Sequence, residues 1–207
     1  DEPALRAVRP DLVYVSVNAF GETGPFADRP AYDHIVQGMS GMAAVQGVGG
    51  PAYVRNTICD KVTAYTAAQA ITAALLARAR GQGGQHVRLS MLDASLAFLW
   101  PDGMTNHTIL EDDVALRPPI SAGYVMIQAQ DGLLSIALVT DAQWHGLFRA
   151  IGRAELIDDP RFATAAARSQ HLAALIAEAG GGKVDMKVDE AIARLAAEDV
   201  PCGPVLS

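Results

Sequence analysis

A carboxylate at the start of a helix can do more than cap it. Asp60 precedes the run Lys61 to Arg80, in which Val62, Tyr65, Ile71, Leu75 and Leu76 give apolar faces and alanines, among them Ala64, Ala67, Ala68, Ala73, Ala74 and Ala77, keep the cylinder slim. As an N-cap it would be favoured by the helix dipole and would lie beside free backbone N–H groups. An ionised carboxylate can attack an activated acyl carbon, and neighbouring N–H donors can stabilise the oxyanion that forms. The plainer reading is an ordinary cap contributing about 1 kcal/mol. Local physics permits either.

Other candidates carry less. Ser40 lies in Gly38-Met39-Ser40-Gly41-Met42, and a nucleophile elbow needs glycine where Met42 stands. The string Gly81-Gln82-Gly83-Gly84-Gln85 follows a helix and precedes a strand, the reverse of a phosphate loop, so it reads as a helix cap and tight turn. The five histidines show no HExxH pair or other ligand spacing, so no metal is expected, and His145 and His171 read as ordinary surface-helix residues. Cys59 and Cys202 are far apart with no CxxC, which suits buried free thiols rather than a disulfide framework or a zinc site.

The elements that must position Asp60 follow from periodicity. Leu12 to Val17 reads as a strand buried on both faces of a parallel sheet, entered almost at the start of the chain. A long loop, Asn18 to Ala31, leaves its carboxyl end, where open α/β sheets bind ligands. A helix broken by Gly38 and Gly41 spans Tyr32 to about Ala44, and a Gly-rich connection runs from Gly47 to Pro51. The helix Lys61–Arg80 is about 30 Å long, with Arg78 and Arg80 in its last turn and Gly81 as C-cap. His86–Ser90 is a strand and Met91 to about His107 a helix.

Past Pro118-Pro119 the pattern changes. Strands at Tyr124–Gln130 and Leu133–Val139 flank a two-residue Asp131-Gly132 turn. Helices follow at Asp141–Ile151, capped by Asp141, at about Ala163–Ala179, and at Val188–Glu198. A boundary near Arg117 divides residues 1–117, part of a larger α/β domain, from 118–207, a small α+β domain.

Composition excludes several function classes. The 207 residues are 50% hydrophobic and 19% charged, enough apolar material for a core. A net charge of -7, from 16 Lys+Arg against 23 Asp+Glu, repels phosphate backbones and anionic membranes, so nucleic-acid and membrane partners are not expected. Apolar runs are too short to span a bilayer and no signal peptide opens the chain, so a cytoplasmic location is the default. The start at Asp1 without methionine, and the end at Pro204-Val205-Leu206-Ser207 with no closing element, read as a piece of something longer.

The motifs, taken in order, resemble the family III CoA-transferases, the CaiB/BaiF group that includes formyl-CoA transferase and α-methylacyl-CoA racemase. They are Asn18-Ala19-Phe20-Gly21-Glu22-Thr23-Gly24-Pro25, Arg29-Pro30-Ala31-Tyr32-Asp33, Gln37-Gly38-Met39-Ser40-Gly41, Asp60, and Gly81 to Val87. Leu92-Asp93-Ala94, Thr140 to Trp144, Asp159-Pro160-Arg161-Phe162 and Val200 to Val205 continue the series, while Gly180 to Lys187 departs from it. The resemblance implies a Rossmann-like large domain built from both chain ends, a small domain between them, and two subunits interlocked as rings. It implies an N-terminal segment, absent from this sequence, that carries most CoA contacts. It also assigns Asp60 as the nucleophile that takes the acyl group and then CoA, moving CoA from an acyl-CoA to a small carboxylic acid with no permanently bound cofactor.

Arg29 and Tyr32 become CoA-binding residues by the same resemblance; the plainer readings are a solvated loop charge and a core aromatic. Racemases of the family carry a histidine and then an acid where this chain has Tyr32-Asp33. An unperturbed tyrosine, with pKa about 10, is a poor base. His34 lies two residues on, a rotation of roughly 200° around a helix. Transfer is therefore expected over racemisation of a 2-methylacyl-CoA. A third possibility is a non-catalytic scaffolding piece that does not bind CoA.

Overall fold

A computed structural model describes the chain except residues 48, 112, 115, 117–120, 122, 123 and 207. The expected boundary at Arg117 and the Pro118-Pro119 pair fall outside the described residues. Backbone contacts nevertheless divide the chain into two compact units, Asp1–Arg117 and Pro118–Ser207.

The first unit begins with a helix, α1 (Glu2–Val8), in a segment to which the sequence assigned no element. The Asp1 side chain accepts from the Ala4 N–H and caps it, and none of its residues is buried. Strand β1 (Tyr14–Asn18) then pairs in parallel with β2 (His86–Ser90), with Tyr14 opposite His86 and Asn18 opposite Ser90. The strand is only partly buried: Val17 is 49% exposed. Between the two strands run α2 (Asp33–Met39), α3 (Met42–Gln46) and the long α4 (Ile58–Ala77), and α5 (Met91–Gly103) follows β2 directly. Val36, Met42 and Cys59 form the core of this unit, with Val54, Ile58, Met91 and Leu99 packed against it. The apolar residues of α4 point in all directions, leaving Tyr65 78% and Leu76 52% exposed.

The turn after α4 shows what its glycines are for. The helix passes into one wider turn, Arg78–Gln82, and Gly81 and Gly83 take φ of 84° and 76°, backbone that other residues adopt only under strain. Gly84 has a different role. A Cβ there would stand 2.3 Å from the Leu12 carbonyl oxygen, so only hydrogen lets the start of β2 lie against the start of β1.

The second unit is a three-stranded antiparallel sheet, β3 (Tyr124–Gln128), β4 (Leu133–Ala137) and β5 (Cys202–Pro204), in that spatial order. The closing strand β5 is absent from the sequence reading. Gln128 pairs with Leu133, so four residues rather than two make the turn. The Ala129 N–H donates to the Gly132 carbonyl at 2.9 Å across the turn, and the Asp131 carboxylate accepts the Val188 N–H at the start of α9 (Val188–Ala197). Helix α6 (Asp141–Ala150) is capped by Thr140 rather than Asp141: Thr140 and Gln143 exchange hydrogen bonds in a capping box. The expected single helix to Ala179 is two, α7 (Ala165–Gln170) and α8 (Leu172–Glu178), parted where His171 leaves helical backbone angles.

The core of this unit lies between the sheet and helices α6 and α9, around Ile127, Leu134, Ile136, Leu147, Leu195 and Val200. A satellite of Phe148, Leu156, Phe162 and Leu175 joins α6 to α8. Phe148 and Phe162 are fully buried, each contributing about 1.5–3 kcal/mol. Among the described residues no helix is long and apolar enough to cross a membrane.

Candidate active site

Asp60 is not the N-cap of its helix. The apolar pair Ile58-Cys59 belongs to α4 and Thr57 is the cap residue, so Asp60 is the third helical residue, still in the first turn. Helical geometry then separates two neighbours: Cys59 faces the core with no exposure, and Asp60 is exposed. Among the described residues, no hydrogen bond or ion pair engages the Asp60 carboxylate. It remains where the helix dipole favours an anion.

The capping is done from another helix. Asp33, the first residue of α2 and 7% exposed, accepts the Asp60 backbone N–H on Oδ2 at 3.0 Å. Its Oδ1 accepts from Gln37 Nε2 at 2.5 Å. A charge-assisted bond of this kind contributes about 1.5–3 kcal/mol. The Ile58 N–H donates to the Asn56 carbonyl at 2.9 Å. Two of the N–H groups expected to be free beside Asp60 are therefore taken.

Gln37 completes the arrangement. Its Oε1 accepts the Val54 N–H at 2.9 Å, and Nε2 also lies 3.2 Å from the carbonyl oxygens of Val54 and Asn56. Beneath the turn, burial pushes the Cys59 thiol up; the Ser95 hydroxyl opposes this, and Asp33 and Asp60 add to it. Ser95 is close enough to favour the thiolate but makes no well-formed hydrogen bond, and its oxygen is buried without a partner. Cys59 is thus an inert anchor.

Tyr32 immediately precedes Asp33, so the Asp33 bond brings its segment to the first turn of α4. Its ring is 76% exposed, which excludes the core-aromatic reading within this unit. Arg29 is exposed, with its guanidinium 4.5 Å from the centre of the Phe26 ring. Among the described residues no hydrogen bond or ion pair joins Arg29 to the Asp60 turn. His34 is exposed and packs edge-on against Tyr53, with ring centres 6.2 Å apart. No group of His, Cys, Asp and Glu among the described residues could hold a metal ion.

A family model described as CoA-transferase family III matches residues 1–207. The chain belongs to this family. As a family III CoA-transferase chain it is 36% identical over 181 residues to the succinate–glutarate CoA-transferase of Agrobacterium fabrum, covering 83% of this chain and 44% of that protein. It is 36% identical over 172 residues to the acetyl-CoA:oxalate CoA-transferase of Acetobacter aceti, covering 76% and 42% respectively. The structure of a CaiB/BaiF family protein from Brucella suis superposes with a TM-score of 0.81 at 33% identity, over 100% of this chain and 56% of that one. The chain therefore spans less than half the length of these curated relatives.

Two members of the candidate site were missed in the family III sequence. Asp33 and Gln37 are four apart on one helix, the spacing at which side chains meet, and that signal was available. That they reach α4 depends on bonds between residues distant in sequence, which no local pattern reports.

Proposed function

We propose that this chain carries the nucleophile of a CoA-transferase, and that Asp60 is that nucleophile. The observation that supports this best is an exposed carboxylate, free of hydrogen bonds and ion pairs among the described residues, on a helix turn held in place by a second, buried carboxylate. An Asp60 oxygen attacks the thioester carbonyl of the donor, the C–S bond breaks, and CoA leaves as thiolate. The thiolate attacks Asp60 Cγ, expelling the donor carboxylate and leaving an aspartyl-CoA thioester. The acceptor carboxylate then displaces CoA from Cγ, and the thiolate attacks the acceptor's acyl carbon, regenerating Asp60. Dividing the exchange this way retains the thioester energy, provided water is kept out.

The relatives' names point to a short dicarboxylate as acceptor and a short acyl-CoA as donor. Arg29 and exposed Tyr32 are assigned to CoA itself. CoA is a substrate here, not a resident cofactor. The working assembly is an interlocked homodimer in the cytoplasm. Racemisation is less well supported, because Asp33 is buried and holds the Gln37 amide and the Asp60 N–H, the geometry of a structural clamp rather than of an acid facing a substrate.

The full-length protein, incubated with succinyl-CoA and then hydroxylamine, should carry a hydroxamate at Asp60, located by mass spectrometry. Asp60→Ala should abolish transfer of CoA to glutarate or oxalate. Transfer activity retained by Asp60→Ala refutes the assignment.

A further inference from the structure

Gln37 is among the least exposed side chains of the chain, at 1%, yet it is an amide surrounded by polar atoms. Every atom facing its nitrogen is an acceptor: Asp33 Oδ1 and the carbonyl oxygens of Val54 and Asn56. Its oxygen faces a donor, the Val54 N–H. The environment therefore specifies an amide in one orientation, not merely a side chain of that volume. Residues 54–56, held in this way, lead into Thr57, which opens α4. Asp33, held by the same amide, takes the Asp60 N–H with its other oxygen. One buried side chain thus fastens both the approach to α4 and the turn that carries Asp60.

We propose that Gln37 is a positioning residue for acyl transfer, fixing through Asp33 and residues 54–56 the orientation in which α4 presents the Asp60 carboxylate. This rests on the reading of Asp60 as nucleophile. Attack on a thioester carbonyl requires near-attack placement, and a displacement of about 1 Å costs on the order of 100-fold in rate.

Two isosteric exchanges test the proposal in the full-length protein. Gln37→Glu sets a carboxylate oxygen against three acceptors. Asp33→Asn turns an amide N–H toward the Gln37 amide. Each single variant should form the hydroxylamine-trapped Asp60 adduct from succinyl-CoA about 10- to 100-fold more slowly in a single turnover, with the Kd for CoA near that of wild type. The double variant restores a donor–acceptor pair of reversed polarity between positions 33 and 37, though the Val54 and Asn56 carbonyls still face an oxygen, so it should react faster than Gln37→Glu alone. Loss of packing alone predicts the opposite, a further loss.

Wild-type adduct formation accompanied by unchanged rates in both single variants overturns the positioning role and leaves Asp60 as nucleophile. A double variant no faster than Gln37→Glu also overturns it. An absence of adduct at Asp60 in the wild type overturns both readings. If Gln37→Glu does not fold, Gln37→Met keeps the buried volume without a polar group and should show the same loss of rate with Kd retained; a wild-type rate in that variant refutes the proposal.

Discussion

Replacing Gly84 by alanine should damage this protein more than replacing either of the glycines just before it. A Cβ at Gly84 would stand 2.3 Å from the Leu12 carbonyl oxygen, 2.5 Å from the Asp11 carbonyl carbon and 2.7 Å from the Leu12 nitrogen. All three are backbone atoms, so no side chain can rotate away. Restoring even a 3.0 Å contact moves the two segments apart by 0.7 Å. The Tyr14 N–H donates to the Gln85 carbonyl at 2.9 Å across that junction, and such a shift takes the bond beyond useful length. Overpacking costs about 1–3 kcal/mol and the lost bond about 1 kcal/mol, together about 2–4 kcal/mol.

At Gly81 and Gly83 an added Cβ meets nothing within 4 Å, and the penalty is the positive φ alone. At Gly81, in left-handed helical backbone, that is about 1–2 kcal/mol; at Gly83, whose ψ of -172° lies in a region nearly confined to glycine, it is about 1–3 kcal/mol, each partly offset by the stiffer unfolded chain. Urea unfolding of the three alanine variants of the full-length protein measures the difference. Gly84→Ala unfolding at the same midpoint as Gly83→Ala, or above it, refutes the argument.

Two further outcomes follow from buried groups. Arg168, whose side chain is 6% exposed, donates to the Phe162 carbonyl at 2.8 Å, pairs with Asp141, and lies 5.3 Å from the centre of the Trp144 ring. Because Asp141 is 56% exposed, the ion pair itself contributes little; Arg168→Met should cost about 2–4 kcal/mol and Asp141→Asn under about 1 kcal/mol by calorimetry, and equal losses contradict this division. The Cys59 thiol is held above its ordinary 9.0, chiefly by burial. The folded state therefore keeps a proton that the unfolded state releases, so this contribution is complete below the unfolded value and is lost as pH rises through the folded one. Urea stability should decline above pH 9.0 less steeply in Cys59→Ala than in wild type, and identical slopes refute it.

The legible parts of the fold are those whose signals are local. The β-prone run Leu12 to Val17, the strand His86–Ser90 and the amphipathic stretch from Val188 announce themselves by residue type and period. Helix α1 buries no residue, so it has no apolar face to detect, and β5 is written Cys-Gly-Pro, a poor strand sequence held by pairing with β4. The start of α4 shows the same limit at the site itself. Asp60 looked like the cap because it is the first strong capping residue before Lys61, whereas the carboxylate that does the capping lies 27 residues earlier. The sequence made Asp60 a candidate, and the resemblance gave it a proposed role, but no local pattern reported that Asp33 holds its turn.

The parallel pairing of β1 with β2 also orders events in time. Hairpin β3–β4 joins neighbours in sequence, whereas Tyr14 meets His86 only after the whole of α2, α3 and α4 has been drawn into a closed loop. Closing a long loop costs entropy before its contacts repay it, so such pairings form late. The Asp60 turn sits inside that loop and is clamped by contacts made within it. Its clamp joins residues only 27 apart, a shorter loop than the one the strands close, so the turn is free to form before β1 and β2 meet.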